Sequence, residues 1–145
     1  MPLYAKFPEN ALGGNAGGDV PIDFLSDTIK CALLTSSYTP AQTTHEWWSD
    51  VSANDVVGTG YTAGGQALAS KTLSASSLVT TMDAADPSWT SSTITARYAV
   101  FYKDTGTAGT SPLIAYADFG SNISSTNGTF TVVLNASGLA TITVA

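Results

Sequence analysis

The sequence predicts an all-β fold: a single-domain β-sandwich or barrel of about seven antiparallel strands, with an extended N-terminal arm and at most one short helix. Three observations carry this prediction. Several segments alternate apolar and polar residues with a period of two. Gly-, Pro- and Ser-rich breaks separate them at short intervals. Ser and Thr make up about a quarter of the 145 residues, while charged residues are only 11%, well under the roughly 25% of an average soluble protein. The chain has 43% hydrophobic residues, enough apolar material for one core. Its length suits one domain, divided as an arm over residues 1–20 and a sandwich domain over 21–145.

The arm reading comes from Ala11-Leu12-Gly13-Gly14-Asn15-Ala16-Gly17-Gly18, which cannot sustain a helix or strand. Leu3, Tyr4, Phe7 and Leu12 sit on that arm and need a surface to pack on, either the domain's own or a neighbour's. In the first strand, Thr28 to Leu33, Ile29, Cys31 and Leu33 share one face, which makes Cys31 a small buried hydrophobe. Thr43 to Val51 is the one helix candidate, with Thr44 as N-cap. Ala67 to Leu73, Leu78 to Met82 and Leu113 to Phe119 are weaker strands. In Ile94 to Lys103, the even positions Ile94, Ala96, Tyr98, Val100 and Tyr102 fall on one face. The C-terminus reads as a hairpin: Phe130, Val132 and Leu134 alternate, Asn135 to Gly138 turns, and Ala140, Ile142 and Val144 alternate on the return.

Charge and cysteine usage exclude several functions. Five Lys and Arg against 11 Asp and Glu give net charge −6, the wrong sign for holding nucleic-acid phosphates. The single Cys excludes an intramolecular disulfide and any Cys-rich zinc module. No apolar run approaches a membrane span, and none near Met1 resembles a signal-peptide core, so the chain is expected to be soluble and made in the cytoplasm.

The chemical motifs are incomplete. His45-Glu46-Trp47-Trp48-Ser49 begins like a zinc-protease helix, but Ser49 stands where the second His must be. With one His in the chain, a Ser-His-Asp triad would depend on His45 alone, and no nucleophile elbow is present. Gly58-Thr59-Gly60-Tyr61-Thr62-Ala63-Gly64-Gly65 matches a loose dinucleotide fingerprint with no helix to follow it, so it reads as a loop. Asp50, Asp55, Asp83 and Asp86 read as solvated loop acids, because paired catalytic carboxylates need a cleft and one raised pKa. Asn122, Asn127 and Asn135 begin formal glycosylation sequons, which carry no meaning without secretion. No catalytic residue, cofactor site or metal site is assigned.

The aromatics admit two readings. Trp47, Trp48 and Trp89, with Tyr38 and Tyr61, could form a carbohydrate-stacking platform, or they could fill cores and protein interfaces. Adjacent helical side chains diverge by about 100°, so Trp47 and Trp48 cannot share one core seam. One of the two is expected at a contact between subunits.

Three segments carry a family likeness: Asp27 to Pro40 (DTIKCALLTSSYTP), Gly58 to Gly65 (GTGYTAGG) and Trp89 to Asp104 (WTSSTITARYAVFYKD). From about Ile22 to the C-terminus the chain resembles a group of small structural proteins of tailed bacteriophages. The resemblance implies a non-enzymatic virion component, a capsid decoration (cement) protein on the outer surface of the head, made in the host bacterial cytoplasm. It further implies the major capsid protein as partner and a cyclic homotrimer, with no nucleic acid or membrane involved. Leu3, Tyr4, Phe7, Leu12, Trp47 and Trp48 are the candidate interface residues. A tail or receptor-binding fibre protein and a carbohydrate-binding β-sandwich module are the alternatives.

Overall fold

The alternating segments form two antiparallel sheets in a computed structural model that describes residues 1–13 and 21–143. The strands are β1 (Ile29–Leu34), β2 (Gln66–Ala67), β3 (Thr72–Ser76), β4 (Val79–Asp83), β5 (Ser88–Lys103), β6 (Leu113–Thr131) and β7 (Ala140–Thr143). The larger sheet has the order β2-β1-β5-β6 and the smaller β3-β4-β7. Among the described residues two short α-helices accompany them, α1 (Phe7–Ala11) and α2 (Trp48–Val51), along with two 3-10 turns. The fold is the all-β sandwich that the sequence predicts, with seven strands among the described residues.

The strands are divided differently from the expectation. Ala67 to Leu73 is not one strand: the chain leaves β1's side at Leu68, passes Ser70 at φ 50°, and enters the other sheet as β3. Conversely, Leu113 to Phe119 and the segment around Phe130 belong to one strand of 19 residues, β6. It pairs with the 16-residue β5 from Tyr102↔Leu113 to Ser88↔Thr131.

A bulge corrects the face assignment in β5. Ala96 pairs with Ile123 and Tyr98 with Asp118, so a single residue of β5, Arg97, lies opposite four of β6. Such an insertion shifts the period-two alternation. Ile94 and Ala96 therefore join the core between the sheets together with Ala99 and Phe101, while Tyr98, Val100 and Tyr102 point to the opposite face. β1 divides in the same way, with Ile29, Cys31 and Leu33 inward and Ala32 and Leu34 on the far side. Both faces of the larger sheet are buried here, which explains why both parities of β1 and β5 are apolar.

The C-terminal hairpin is also corrected. Asn135 to Gly138 does turn, with the Gly138 N–H donating to the Asn135 carbonyl at 2.7 Å. The returning strand, β7, pairs with β4 through Met82↔Ala140 to Val79↔Thr143 instead of folding back on Phe130 to Leu134. Gly138 permits this at φ 85°, because a Cβ there would lie 2.5 Å from the Met82 carbonyl oxygen. Leu139 and Ala140 are buried by the move, and Val132 and Leu134 already face the core.

Over the described residues 1–13, the expected arm is a segment folded onto its own domain. Leu3 bridges antiparallel to Ala115, the Tyr4 N–H donates to the Ile114 carbonyl at 3.0 Å, and the Tyr116 N–H donates to the Pro2 carbonyl at 3.1 Å. These residues thus add a short strand to the β6 edge. The α1 turn follows where no helix is expected, with Pro8 favourable in its first turn. The remainder of the arm, residues 14–20, lies outside the described residues.

Candidate interaction surfaces

The six candidate interface residues fall into different environments. Tyr4 and Phe7 are buried in their own chain, Leu3 is half-buried, and Leu12 is 88% exposed. Tyr4 sits under the far face of the larger sheet, its hydroxyl 2.7 Å from that of Tyr38. Burial and that partner push the Tyr4 phenol well above its ordinary value of 10.0. Tyr38 reaches His45 Nδ1 at 3.2 Å, and the two rings stack with centroids 5.7 Å apart. The only His is therefore tied to Tyr38, and through it to Tyr4, with no serine among its side-chain hydrogen-bond partners. For Tyr4 and Phe7, the expectation of a contact with a neighbour is replaced by packing in cis, because the core offers each a full apolar site.

Trp47 and Trp48 part as the helical geometry requires. Trp48 is 8% exposed and lies flat on Tyr102, with ring centroids 4.6 Å apart and planes within 5°. Trp47 is half-buried. The α2 helix begins later than Thr44: Trp47 first bridges to Pro112, and the Trp48 N–H donates to the Ser111 carbonyl at 2.8 Å. The Asp50 carboxylate, not Thr44, caps the turn by accepting the Glu46 and Trp47 N–H groups, each at 2.9 Å.

A cleft of about 470 Å³ opens beside α2, bordered by Lys30, Trp48, Asp55, Gly64, Tyr102 and Asp104. Its carboxylates are committed to structure. Asp104 pairs with Lys30 at 2.6 Å. Asp55 accepts from the Tyr61 hydroxyl and the Gly64 N–H, both at 2.6 Å, and Tyr61 in turn accepts from the Leu33 N–H at 2.9 Å. Burial raises the Asp55 carboxyl above its ordinary range, with the Tyr61 and Gly64 hydrogen bonds pulling the other way. This network staples the glycine loop to β1. Gly65 at φ 77° makes the close approach possible, since a Cβ there would meet the Cys31 carbonyl oxygen at 1.9 Å. The Gly58 to Gly65 segment is thus a packed loop with no helix behind it.

The other acids are structural as well. Asp86 accepts from the Leu134 N–H and Asp83 from the Ala84 N–H, each at 2.8 Å. Among the described residues, no group of three or more His, Cys, Asp and Glu is placed to hold a metal, and no helix is long and apolar enough to cross a membrane. Nor do the aromatics form a platform. Trp89 packs with Phe130 and Tyr61 between the sheets, while Trp48 and Tyr38 lie on the far face of the larger sheet.

The smaller sheet is the surface that sequence reasoning missed. Its register places Leu73, Met82 and Ala140 in one row and Ala75, Thr80 and Ile142 in the next, on the same face. Met82 and Ala140 are buried in the core, but Leu73 is 49% and Ile142 42% exposed, with Leu78 at the hairpin tip 61% exposed. The sheet therefore overhangs the core, its apolar face only half covered. Its opposite face is mostly hydroxylic, with Thr72, Ser74, Ser76, Thr81, Thr141 and Thr143 beside Val79 and Asp83. β3 and β7 contain no ionisable side chain. The available signal was the lack of charge in Thr72 to Ser76, which weak alternation alone did not mark as a surface.

The fold and these surfaces define an all-β sandwich whose polar groups serve structure and whose smaller sheet is left open. No protein-family model, curated protein or solved structure matches the chain.

Proposed function

We propose that this protein is a bacteriophage virion structural protein, a capsid decoration (cement) protein that sits on the outer surface of the head and bridges subunits of the major capsid protein as a homotrimer. The observation that carries the reading is the overhanging sheet: its uncharged outer strands β3 and β7, with Leu73, Leu78 and Ile142 exposed, form a surface suited to protein contact. The likeness of three segments to phage structural proteins supports it. So does the net charge of −6, which suits the outside of a shell better than its DNA-facing interior. A cement protein acts by linkage: it binds the assembled shell and not its dissociated subunits, so each bound copy stabilises the assembly.

The test is direct. Heads assembled without the protein are mixed with the purified chain, and bound stoichiometry and thermal disruption are measured. Saturable binding in fixed ratio to the major capsid protein, with a raised disruption temperature, is the expected result. Failure to bind heads, with the protein found instead on isolated tails, would replace this reading with the tail alternative.

A further inference from the structure

The smaller sheet has two open edges. Among the described residues, β3 pairs only with β4 on one side, and β7 pairs only with β4 on the other. Both outer edges are short, unbulged and free of Lys, Arg, Asp, Glu and Pro, the devices by which sheets blunt an edge. Of the larger sheet's edges among the described residues, β2 is only two residues long, and β6 beyond Asp118 is interrupted by bulges and so is blunted. The β3 edge also has defined donors. Ser77 and Leu78 form a two-residue hairpin with Ser77 at φ 54°, so Ser76 and Val79 exchange the closing hydrogen bonds. Leu73 and Ala75 then direct their N–H and C=O groups away from β4.

We infer that a second copy of this chain occupies these edges, the β3 edge of one copy pairing with the β7 edge of the next in a head-to-tail contact that closes into a ring. The two edges are similar in length, at five and four residues, and lie on opposite sides of one sheet. One repeated contact therefore satisfies both, whereas a single foreign strand satisfies one and leaves the other open. Neither edge brings a carboxylate, so two chains of net charge −6 meet there without opposed like charges. Leu73 and Ile142 lie on the same face of the sheet, so the pairing makes them lateral neighbours across the contact and each shields part of the other. The contact joins two different edges and is heterologous; two copies would satisfy both edges only by closing a barrel around the sheet's apolar face, which is already packed on the larger sheet, so closure takes more than two copies. The inference does not rest on the capsid reading, because it concerns the purified protein alone.

Native mass spectrometry of the full chain is expected to show a closed oligomer of three or more copies, and a monomer or a dimer overturns the inference. Ala75→Pro removes an outward donor that β4 does not use and is expected to give folded monomers. A variant oligomer of unchanged mass also overturns it. Should Ala75→Pro fail to fold, amide exchange in the wild-type protein decides: the Leu73 and Ala75 amides are expected to exchange about 100-fold more slowly than that of Leu78 at the tip. Exchange at the same rate as Leu78 contradicts the pairing.

Discussion

Trp48 lies on Tyr102 with ring planes within 5° and centroids 4.6 Å apart, which fixes α2 against the far face of the larger sheet. Trp48→Ala should cost about 3 to 5 kcal/mol, as emptying a buried aromatic site does. Trp47→Ala, at a half-buried position, should cost about 1 kcal/mol or less. Thermal unfolding of the two variants checks the difference. Equal losses would mean that the chain buries both indoles alike.

Gly65 and Gly106 share a positive φ, 77° and 83°, but not their surroundings. A Cβ at Gly65 runs into the Cys31 carbonyl, and at Gly106 it meets nothing within 4 Å. Gly106→Ala should cost only the left-handed penalty of about 1 to 2 kcal/mol. Gly65→Ala should cost more, because the staple formed by Asp55, Tyr61 and Leu33 must also shift. Denaturant midpoints of the two variants give the comparison.

Stability should depend on pH in opposite senses at two carboxylates. The Asp55 pKa is raised by burial from 3.8, so the stability that its protonated form contributes is present below pH 3.8 and is lost as pH rises through the folded-state value. Asp104 is lowered: burial opposes the shift, but the Lys30 ion pair and the Gly106 N–H outweigh it. Its contribution is present above pH 3.8 and is lost as pH falls through the folded-state value. Across the window from about pH 2 to neutral, Asp55→Asn should therefore gain stability relative to wild type as pH rises above about 4, whereas Asp104→Asn should lose it as pH rises toward about 4 and then stay level. Melting temperatures across that window check both signs.

The N-terminal residues serve the domain first. Tyr4→Phe keeps the buried ring but deletes the hydroxyl bonded to Tyr38, and should cost about 1 kcal/mol. Removing residues 1–6 uncovers both the Tyr4 site and the β6 edge near Ala115, and should lower the melting temperature of the isolated protein. An unchanged melting temperature after that truncation would contradict the packing in cis.

The fold class was legible because period-two alternation and turn residues are local properties, and β1 and β4 lie within a residue of where that pattern puts them, while β5 ends as expected at Lys103 but begins six residues earlier, at Ser88. Faces and pairings were less so. Arg97 looks like any outward strand residue, yet the four-residue excursion opposite it switches the face of everything after Ala96. The turn at Asn135 to Gly138 is plain in sequence, but nothing local says that Ala140 pairs with Met82 and not with Leu134. Size and apolarity mark interface residues and core residues alike, and Tyr4, Phe7 and Trp48 belong to the core. Leu73 and Ile142 are exposed because the sheet overhangs, which only tertiary structure defines.

The central proposal, a decoration protein on a phage head, is tested most directly by counting the protein in purified virions of a phage whose genome carries this sequence. Quantitative mass spectrometry against the major capsid protein should give a copy number of the same order as that protein, in fixed ratio from one preparation to the next. A handful of copies per particle, or none, would contradict the claim.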